Sequence, residues 1–508
     1  MNQIRFSRAA AAGALIVAAL AIVLGAGAGA QTNPPVRLIA PSNAPTPYPL
    51  PTFGPVSQPT SLPYPAYGTP APGVGAGPSV PGVNNVLTLQ QAIDVGLARA
   101  PQLAISLSNV RVDQAAVGLS KTAIFPNISA NASTERGRGQ TTGSLTNGTT
   151  TGGTVPVTTR GSGSSFTTNG LTINLRQLIF DGGKIAAQLR QAKATEVAAL
   201  DTYRRQGQTI AFDVATAYYN SLAAQRQTQV DLETVKLDQV QENLVNAQFH
   251  AGTASKVDVA TAQLPVAQAR VAVVRDQGAE LNAQAAFANA MGLPADANVL
   301  PADDTPVFDE SAFASLTIPT YQAAVARAIA SRPDYDAAVN TIRADEAAYK
   351  AARLGTFPVL NGVADYGVSS SDASGGSFRN SNGIGLQLSI PIYDQGITAA
   401  QRAQAQAITD GAKAQLAFTE QSIQLAVKQA LVGLVSARAQ LDEVQIQYTE
   451  ASQVLQATEA QYRAGVTTLP LLLNAQVSFT SALTARVTAV YNLRQAQQAF
   501  AFATGASL

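Results

Sequence analysis

Side chains that commonly carry out chemistry are scarce in this sequence of 508 residues. It contains no cysteine, one histidine and two methionines, which excludes disulfides and cysteine nucleophiles and argues against a transition-metal site. The histidine, His250, lies in a turn just before Gly252, with no nucleophile or ligand cluster close to it in sequence. We therefore expect His250 to be a solvated turn residue, and the sequence predicts neither an enzyme nor a cofactor.

Two segments rich in Gly, Ser, Thr and Asn are the remaining candidates for ligand binding: GRGQTTGSLTNGTTTGGTV and SSSDASGGSFRNSNG. Neither contains Gly-Lys-Ser/Thr or leads into a helix, so surface loops are favoured over a phosphate-binding site. The formal net charge is +1 and 13% of the residues are charged. This composition predicts no nucleic-acid partner.

An internal duplication organises the chain around two long helical stretches. Residues Phe180 to Gly252 open with FDGG and close with FHAG, and Tyr393 to Gly465 open with YDQG and close with YRAG, at a constant offset of 213 residues. Apolar residues at coiled-coil spacing predict a helix about 100 Å long in each copy. Shorter helical segments before and after each long one have about half its length. We therefore expect them to stack end to end beside it, forming four columns per chain.

Between the helices the apolar period changes from 3.6 to 2, which predicts a β-hairpin in each copy. Each strand has apolar residues on one face and Ser, Thr, Asn or Gln on the other; the strands are expected at about 127–138, 166–179, 359–370 and 378–392. A long loop, 137–165, joins the first pair at the end away from the helices and is expected outside the cell. Aromatic residues at the helix end are predicted to lie at a membrane interface, or else beneath a soluble sheet: Phe125, Phe180, Phe357 and Tyr393.

The amino-terminal part of the chain has a different composition. Residues 1–30 combine a basic start, an apolar run and a small-residue exit at Ala30, which predicts a cleaved secretory signal, with an uncleaved anchor as the alternative. Residues 31–86 are rich in proline and predict an extended leader that serves as a spacer or a docking ligand. The remaining chain is predicted to divide into a first repeat, a linker and a second repeat at 87–300, 301–318 and 319–508.

The hairpins impose a requirement on assembly. Four strands cannot close, and an open sheet edge cannot lie in lipid, so several chains must share one barrel and their helices must form a common tube. The predicted fold class is mainly α with a transmembrane β-barrel, built from a duplicated helix–hairpin–helix unit. Such an assembly is a pore that continues into a conduit. A structural coiled-coil envelope protein without a pore is the alternative, but it does not need the apolar face predicted from Ile384 to Ile392.

The order and doubling of these motifs resemble the TolC-like outer membrane efflux protein family over about residues 87–508. The similarity rests on Phe-Pro before each hairpin, FDGG and YDQG after it, and the tip sequences FHAGTASKVDVATAQ and YRAGVTTLPLLLNAQ. It implies a homotrimer whose 12-stranded outer-membrane barrel continues into a periplasmic α-helical barrel. It also implies a passive exit duct in a tripartite efflux or type I secretion system. The implied partners are outer-membrane lipid, a periplasmic adaptor (membrane fusion protein) and an inner-membrane pump.

The resemblance further implies roles for residues at the tip of the helical tube. Those expected to contact the adaptor lie in the two tip turns: Phe249, His250, Gly252, Tyr462, Arg463 and Gly465. Asp258 matches a family aspartate at the entrance gate. Thr467, Leu471 and Asn474 stand where the family often has an arginine and two aspartates. We therefore expect a gate closed by apolar and hydrogen-bonding contacts. The sequence leaves the exported substrate open.

Overall fold

A computed structural model of the protein describes residues 85–139, 164–302, 318–371 and 376–506. The predicted signal segment and nearly all of the proline-rich leader lie outside these residues. So do most of the loop predicted at 137–165 and most of the linker predicted at 301–318.

Helices make up most of the described part of the chain. In chain order they are α1 (Leu89–Arg99), α2 (Pro101–Thr122), α3 (Lys184–His250), α4 (Lys256–Ala290), α5 (Tyr321–Ser331), α6 (Pro333–Arg353), α7 (Ile397–Arg463) and α8 (Leu469–Ala503). The two long helices, α3 and α7, have 67 residues each. At 1.5 Å per residue each is about 100 Å long.

Proline and capping residues fix where several of these helices begin. Pro101 and Pro333 are the first residues of α2 and α6, where a missing N–H costs no helical hydrogen bond. The preceding residues, Ala100 and Arg332, are extended and separate α1 from α2 and α5 from α6. Thr88 caps α1 through a reciprocal pair of hydrogen bonds with Gln91.

The helices pack as two related sets. The half-length helices α2 and α4 both pack against α3, while α6 and α8 pack against both α3 and α7. Each long helix is therefore flanked by a pair of shorter ones, as the duplication requires. The set α6 and α8 lies between the two long helices, whereas α2 and α4 lie at one edge and α7 at the other.

The sheet contains β2 (Asn127–Gly139), β3 (Ser164–Phe180), β5 (Val359–Ser371) and β6 (Phe378–Ser389), in the order β2-β3-β5-β6 with every pair antiparallel. A separate parallel pair joins β1 (Val86–Leu87) to β4 (Leu300–Pro301). The strand predicted at 378–392 ends earlier, at Ser389, which pairs with the first residue of β5. Pro391, which has no N–H to donate, follows closely.

The largest buried cluster lies where α1, α3 and α4 meet the parallel pair. Val214, Phe287 and Met291 are fully buried there. The hydroxyl of Tyr218 donates a 2.6 Å hydrogen bond to the carbonyl oxygen of Ala302, just after β4. This contact ties the chain that follows α4 to the middle of α3.

Candidate functional site: the sheet and the tip turns

The register of the sheet places apolar side chains from all four strands on one face. Leu171 of β3 pairs with Ala132 of β2 and Val368 of β5, and Ala364 of β5 pairs with Ile384 of β6. Because successive side chains alternate between faces, each of these pairs extends an apolar row over neighbouring strands, although Asn380 and Asn382 of β6 interrupt the face near the loop end. The face comprises Ile128, Ala130, Ala132, Leu171, Ile173, Leu175, Leu360, Ala364, Tyr366, Val368, Ile384, Leu386 and Leu388.

The opposite face is polar, and the apolar face has no cover within the described chain. Asn174 of β3 pairs with Ser129 and Asp365, and Gln387 pairs with Asn361. On the apolar face the side chain of Ile384 is 92% exposed. The strands have 12 to 17 residues, longer than the 9–11 or so that a tilted strand needs to cross a bilayer. Such a sheet fits lipid on one side and water on the other.

The turns from sheet to long helix are each fixed by one aspartate. The carboxylate of Asp181 accepts hydrogen bonds from the N–H groups of Gly183 (2.8 Å) and Ile185 (2.6 Å). In the second copy, the carboxylate of Asp394 accepts hydrogen bonds from two N–H groups, those of Gly396 (3.1 Å) and Thr398 (2.8 Å). These bonds satisfy free donors at the starts of α3 and α7, and hydrogen bonding from Thr398 in particular lowers the pKa of Asp394. The two aspartates therefore set the angle at which each strand joins its helix.

The four aromatic residues predicted at the interface are all exposed, but Phe357 also has a packing role. A Cβ on Gly182, whose φ is +73°, would lie 2.6 Å from the Cβ of Phe357. The FDGG turn of the first copy therefore packs directly on the aromatic residue that opens the second hairpin. Exposed side chains at this end of the sheet belong to Phe125, Phe180, Phe357 and Tyr393.

At the other end of the long helices, each tip turn is built around a glycine. Gly252 (φ +79°) follows α3 and Gly465 (φ +72°) follows α7. The N–H of Thr253 donates to the carbonyl oxygen of Gln248 and that of Val466 to the carbonyl oxygen of Gln461, both at 2.9 Å. These are the bonds of a Schellman motif, which needs a left-handed residue at this position. The predicted tip residues Gly252 and Gly465 thus reverse the chain direction.

The two tip turns differ in how the next helix begins. Ser255 caps α4: its N–H and hydroxyl both donate to the carboxylate of Asp258 at 2.8 Å, and its hydroxyl accepts from the Asp258 N–H at 3.2 Å. These hydrogen bonds from Ser255 lower the pKa of Asp258. Thr468 occupies the same position before α8 but makes no side-chain capping bond. Asp258, predicted at the gate, is therefore also a structural part of the first turn.

A hydrogen bond connects the two tips. The hydroxyl of Tyr462, near the end of α7, donates to Oε1 of Gln248, near the end of α3, over 2.9 Å. The ring of Tyr462 packs against buried clusters that contain Val245, Leu469 and Leu472, and burial raises its pKa. Among the tip residues predicted from the sequence, Tyr462 is thus the one that joins the two copies.

The other predicted tip and gate residues lie on the surface of the chain. Leu471 is 53% exposed, and Asn474 lies one turn further along the same side of α8. Arg463 forms an ion pair with Glu459 at 3.2 Å. Phe249 and His250 are exposed next to each other, with ring centroids 6.0 Å apart, and Thr467 is half-buried.

Several residues that fix the geometry have no clear signal in the sequence. No local pattern identifies Gln248 as the partner of Tyr462. Asp181 and Asp394 lie in turns that the sequence does predict, but their capping role emerges only from the structure. The Ser255-x-x-Asp258 spacing, in contrast, is a recognisable capping box that sequence reasoning could have used.

No group of three or more His, Cys, Asp or Glu side chains that could hold a metal occurs in the described ranges. Within those same ranges, none of the helices combines the length and apolar character required to cross a membrane.

An antiparallel sheet with a continuous exposed apolar face, joined to long helices, is the architecture of an outer-membrane channel subunit. The model of the outer membrane efflux protein family matches residues 92–293 and 324–506. The chain therefore belongs to the outer membrane efflux protein family. This membership makes the protein an outer-membrane efflux channel and favours that function over a coiled-coil protein without a pore.

Individual relatives agree with this assignment. Outer membrane protein TolC of Escherichia coli K12 is 25% identical over 348 residues, which cover 65% of this chain and 68% of TolC. The probable efflux pump outer membrane protein TtgC of Pseudomonas putida KT2440 is 26% identical over 407 residues, which cover 78% of each protein.

Solved structures share the fold. The outer-membrane channel OprN superposes with a TM-score of 0.67 at 20% identity, covering 82% of this chain and 90% of OprN. CusC superposes with a TM-score of 0.70 at 18% identity, covering 83% of this chain and 92% of CusC. The CmeC outer membrane channel of Campylobacter jejuni superposes with a TM-score of 0.68 at 17% identity, covering 82% of this chain and 85% of CmeC.

Proposed function

We propose that three copies of this chain form a 12-stranded barrel in the outer membrane that continues into a helical barrel in the periplasm. The assembly acts as the passive exit duct of a tripartite efflux or type I secretion system. One observation carries the proposal: the four strands align a single apolar face in register, while β2 and β6 each pair on one side only within the described chain. Lipid excludes such open edges, so β6 of one copy must pair with β2 of the next.

The direction of the strands supports this closure. β2 follows α2 and runs away from the helices, whereas β6 runs back toward them and leads into α7. When copies are arranged around an axis, β6 of one therefore meets β2 of its neighbour antiparallel. The antiparallel arrangement of the sheet then continues across each junction between neighbouring copies.

The helices carry a second sign of assembly. Exposed apolar residues at heptad spacing lie on α2 and α4, at one edge of the helical layer, and on α7, at the other. On α7 they lie on the side opposite its buried residues. The stripes comprise Ile105, Val112 and Leu119 on α2, Val257, Leu264 and Val271 on α4, and Phe418, Leu425, Val432 and Ile446 on α7. Packing α7 of one copy against α2 and α4 of the next covers both stripes.

The proposal extends to the tip and its partners. The two tip turns, which contain Phe249, His250, Gly252, Tyr462, Arg463 and Gly465, contact a periplasmic adaptor that links the duct to an inner-membrane pump. Asp258, Thr467, Leu471 and Asn474 line the entrance. The exposure of Leu471 and Asn474 on one side of α8 supports this placement.

The test is a charge placed within the α7 stripe. Leu425→Glu should abolish the trimer in detergent and the channel conductance in planar bilayers, because it buries an unpaired carboxylate between copies. Gln424→Glu, at the adjacent exposed position, is the matched control and should assemble normally. Purified wild-type protein that inserts into bilayers without conducting would support a pore-less structural protein instead. A wild-type monomer that conducts alone would contradict the shared barrel.

A further inference from the structure

Two buried carboxyl groups meet between α3 and α4, about 20 residues along each helix from the tip turn that joins them. Asp231 of α3 is 8% exposed and Asp276 of α4 is 9% exposed. Oδ1 of Asp231 accepts a hydrogen bond from Gln227 Nε2 at 3.1 Å. Oδ2 of Asp231 is buried and has no hydrogen-bond partner in the described part of the chain. A buried carboxylate oxygen without a hydrogen-bond partner reduces the free energy of unfolding unless it carries a proton.

The two acids have different surroundings. Arg275 holds both oxygens of Asp276, with Nε 2.6 Å from Oδ1 and Nη2 3.1 Å from Oδ2. This hydrogen bonding lowers the pKa of Asp276, which stays ionised. For Asp231, burial first and then the neighbouring Asp276 carboxylate raise the pKa to about 6. The pair therefore consists of one stable anion and one acid that titrates close to neutral pH.

The same site reaches the third helix. Gln227 Nε2 also lies 3.4 Å from Oγ1 of Thr484 on α8, so one amide connects Asp231 to that helix. A cleft of about 410 Å³ opens over this point between α3, α4 and α8. The charged groups that face Asp231 are Asp276 and Arg275 from α4, while α8 contributes the uncharged Thr480, Ser481 and Thr484. The cleft provides a path for a proton to reach water.

We propose that Asp231 binds a proton which it shares with Asp276, and that this proton holds α3 against α4 and α8 at this level of the helices. In the protonated state the O–H of Asp231 donates to the carboxylate of Asp276. When the proton leaves through the cleft, two adjacent anions remain and only one of them has an arginine partner. Their repulsion loosens the packing of α3 on α4.

The sign of the pH dependence follows from the raised pKa of Asp231. The shared proton stabilises the contact fully at pH values below 3.8, the ordinary pKa of an aspartate. This stabilisation is lost as the pH rises through about 6, the raised pKa of Asp231. The contact between α3 and α4 is therefore held more firmly in mildly acidic surroundings than at neutral pH. All the contacts involved lie within one chain, so this switch does not depend on the proposed export function.

Hydrogen–deuterium exchange on the full-length protein tests the proposal, with rates corrected for intrinsic pH dependence between about pH 5 and 8. In the wild type, peptides around Asp231 and Asp276 should lose protection by roughly tenfold as the pH rises from about 5 through the raised pKa, since each pH unit below that pKa corresponds to tenfold, and the midpoint of this loss should lie in that interval. Asp231→Asn should show protection that is independent of pH, because its amide donates to Asp276 permanently. Asp276→Asn should move the midpoint downward, because it removes the negative charge that adds to the effect of burial on the pKa of Asp231.

Two control variants separate this site from other ionisable groups of the chain. Burial raises the pKa of Asp238, one heptad further along α3, to about 6, and His250 is the one histidine of the sequence. Asp238→Asn and His250→Gln should leave the transition near Asp231 in place. The proposal is wrong if either control removes that transition, or if Asp231→Asn keeps the wild-type midpoint. If Asp231→Asn does not fold, an unchanged midpoint in Asp276→Asn overturns it instead.

Discussion

The Tyr462 hydroxyl donates a 2.9 Å hydrogen bond to Gln248 Oε1, which joins the last turn of α7 to the last turn of α3. These turns belong to different copies of the internal repeat. The contact lies beside the glycine-based reversals at Gly252 and Gly465, where the long helices end. Any movement that separates the two copies at the tip must break this bond.

Replacing Tyr462 by Phe should therefore weaken the contact between the two tip turns, which in the proposed channel favours an open entrance. The change removes one partly buried hydrogen bond, worth about 0.5–1.5 kcal/mol, while the ring keeps its packing. We expect a higher conductance or open probability in planar bilayers. Tyr335→Phe is the matched control, since the Tyr335 hydroxyl donates to Glu420 at 3.3 Å on elements away from the tip. An increase in both variants would show that the effect is not specific to the tip.

Replacing Leu471 by Asp should make the entrance sensitive to cations. In the proposed trimer, three copies would place like charges around a narrow pore, which raises their pKa values and attracts divalent cations. We expect divalent ions added on the entrance side to block single-channel current in this variant and to have little effect on the wild type. Val477→Asp, at an exposed position nearly two turns further from the tip turn on α8, is the control. If Leu471→Asp conducts like the wild type, with no added block, Leu471 does not line the pore.

The two tip turns should respond differently to loss of a capping hydroxyl. Ser255→Ala removes both hydroxyl bonds of the cap on α4 and should destabilise its first turn by about 1 kcal/mol. Thr468→Ala should have a smaller effect, because Thr468 makes no side-chain capping bond on α8. Hydrogen exchange of the first turns of α4 and α8 measures both. Equal loss of protection in the two variants would contradict this difference.

The two strand-to-helix turns offer a pair of opposite substitutions. Gly182→Ala should destabilise the protein by about 1–3 kcal/mol, because the new Cβ would overlap Phe357 in a left-handed backbone. Gln395 occupies the equivalent position in the second copy with φ +57°. Gln395→Gly should therefore stabilise by about 0.5–1 kcal/mol, after the added flexibility of the unfolded chain is subtracted. Thermal unfolding in detergent should give shifts of opposite sign.

The internal repeat shows how far local patterns reach. Coiled-coil spacing and the FDGG and YDQG turns are local signals, and α3 and α7 begin four residues after the first residue of those motifs. The alternation of apolar and polar residues is also a local signal, and it located the hairpins. It extended β6 past Ser389, however, because Ile390 and Ile392 continue the alternation. A strand ends where its partner strand ends, whatever the periodicity of its side chains. β5 begins at Val359, which pairs with Ser389, so β5 has no residue left to pair with Ile390 or Ile392.

The sequence by itself determined the duplicated helices, the alternating strands and the positions of the tip turns, because each depends on residues close together in the chain. Only the tertiary structure decided which side chains meet across the copies. Tyr462 lies 214 residues from Gln248, and Asp231 and Asp276 lie on opposite helices of a hairpin. The rotation of each helix and the register of each pair fix such contacts, and a shift of one residue would replace them with others. The periodic patterns along the chain leave that rotation and register open.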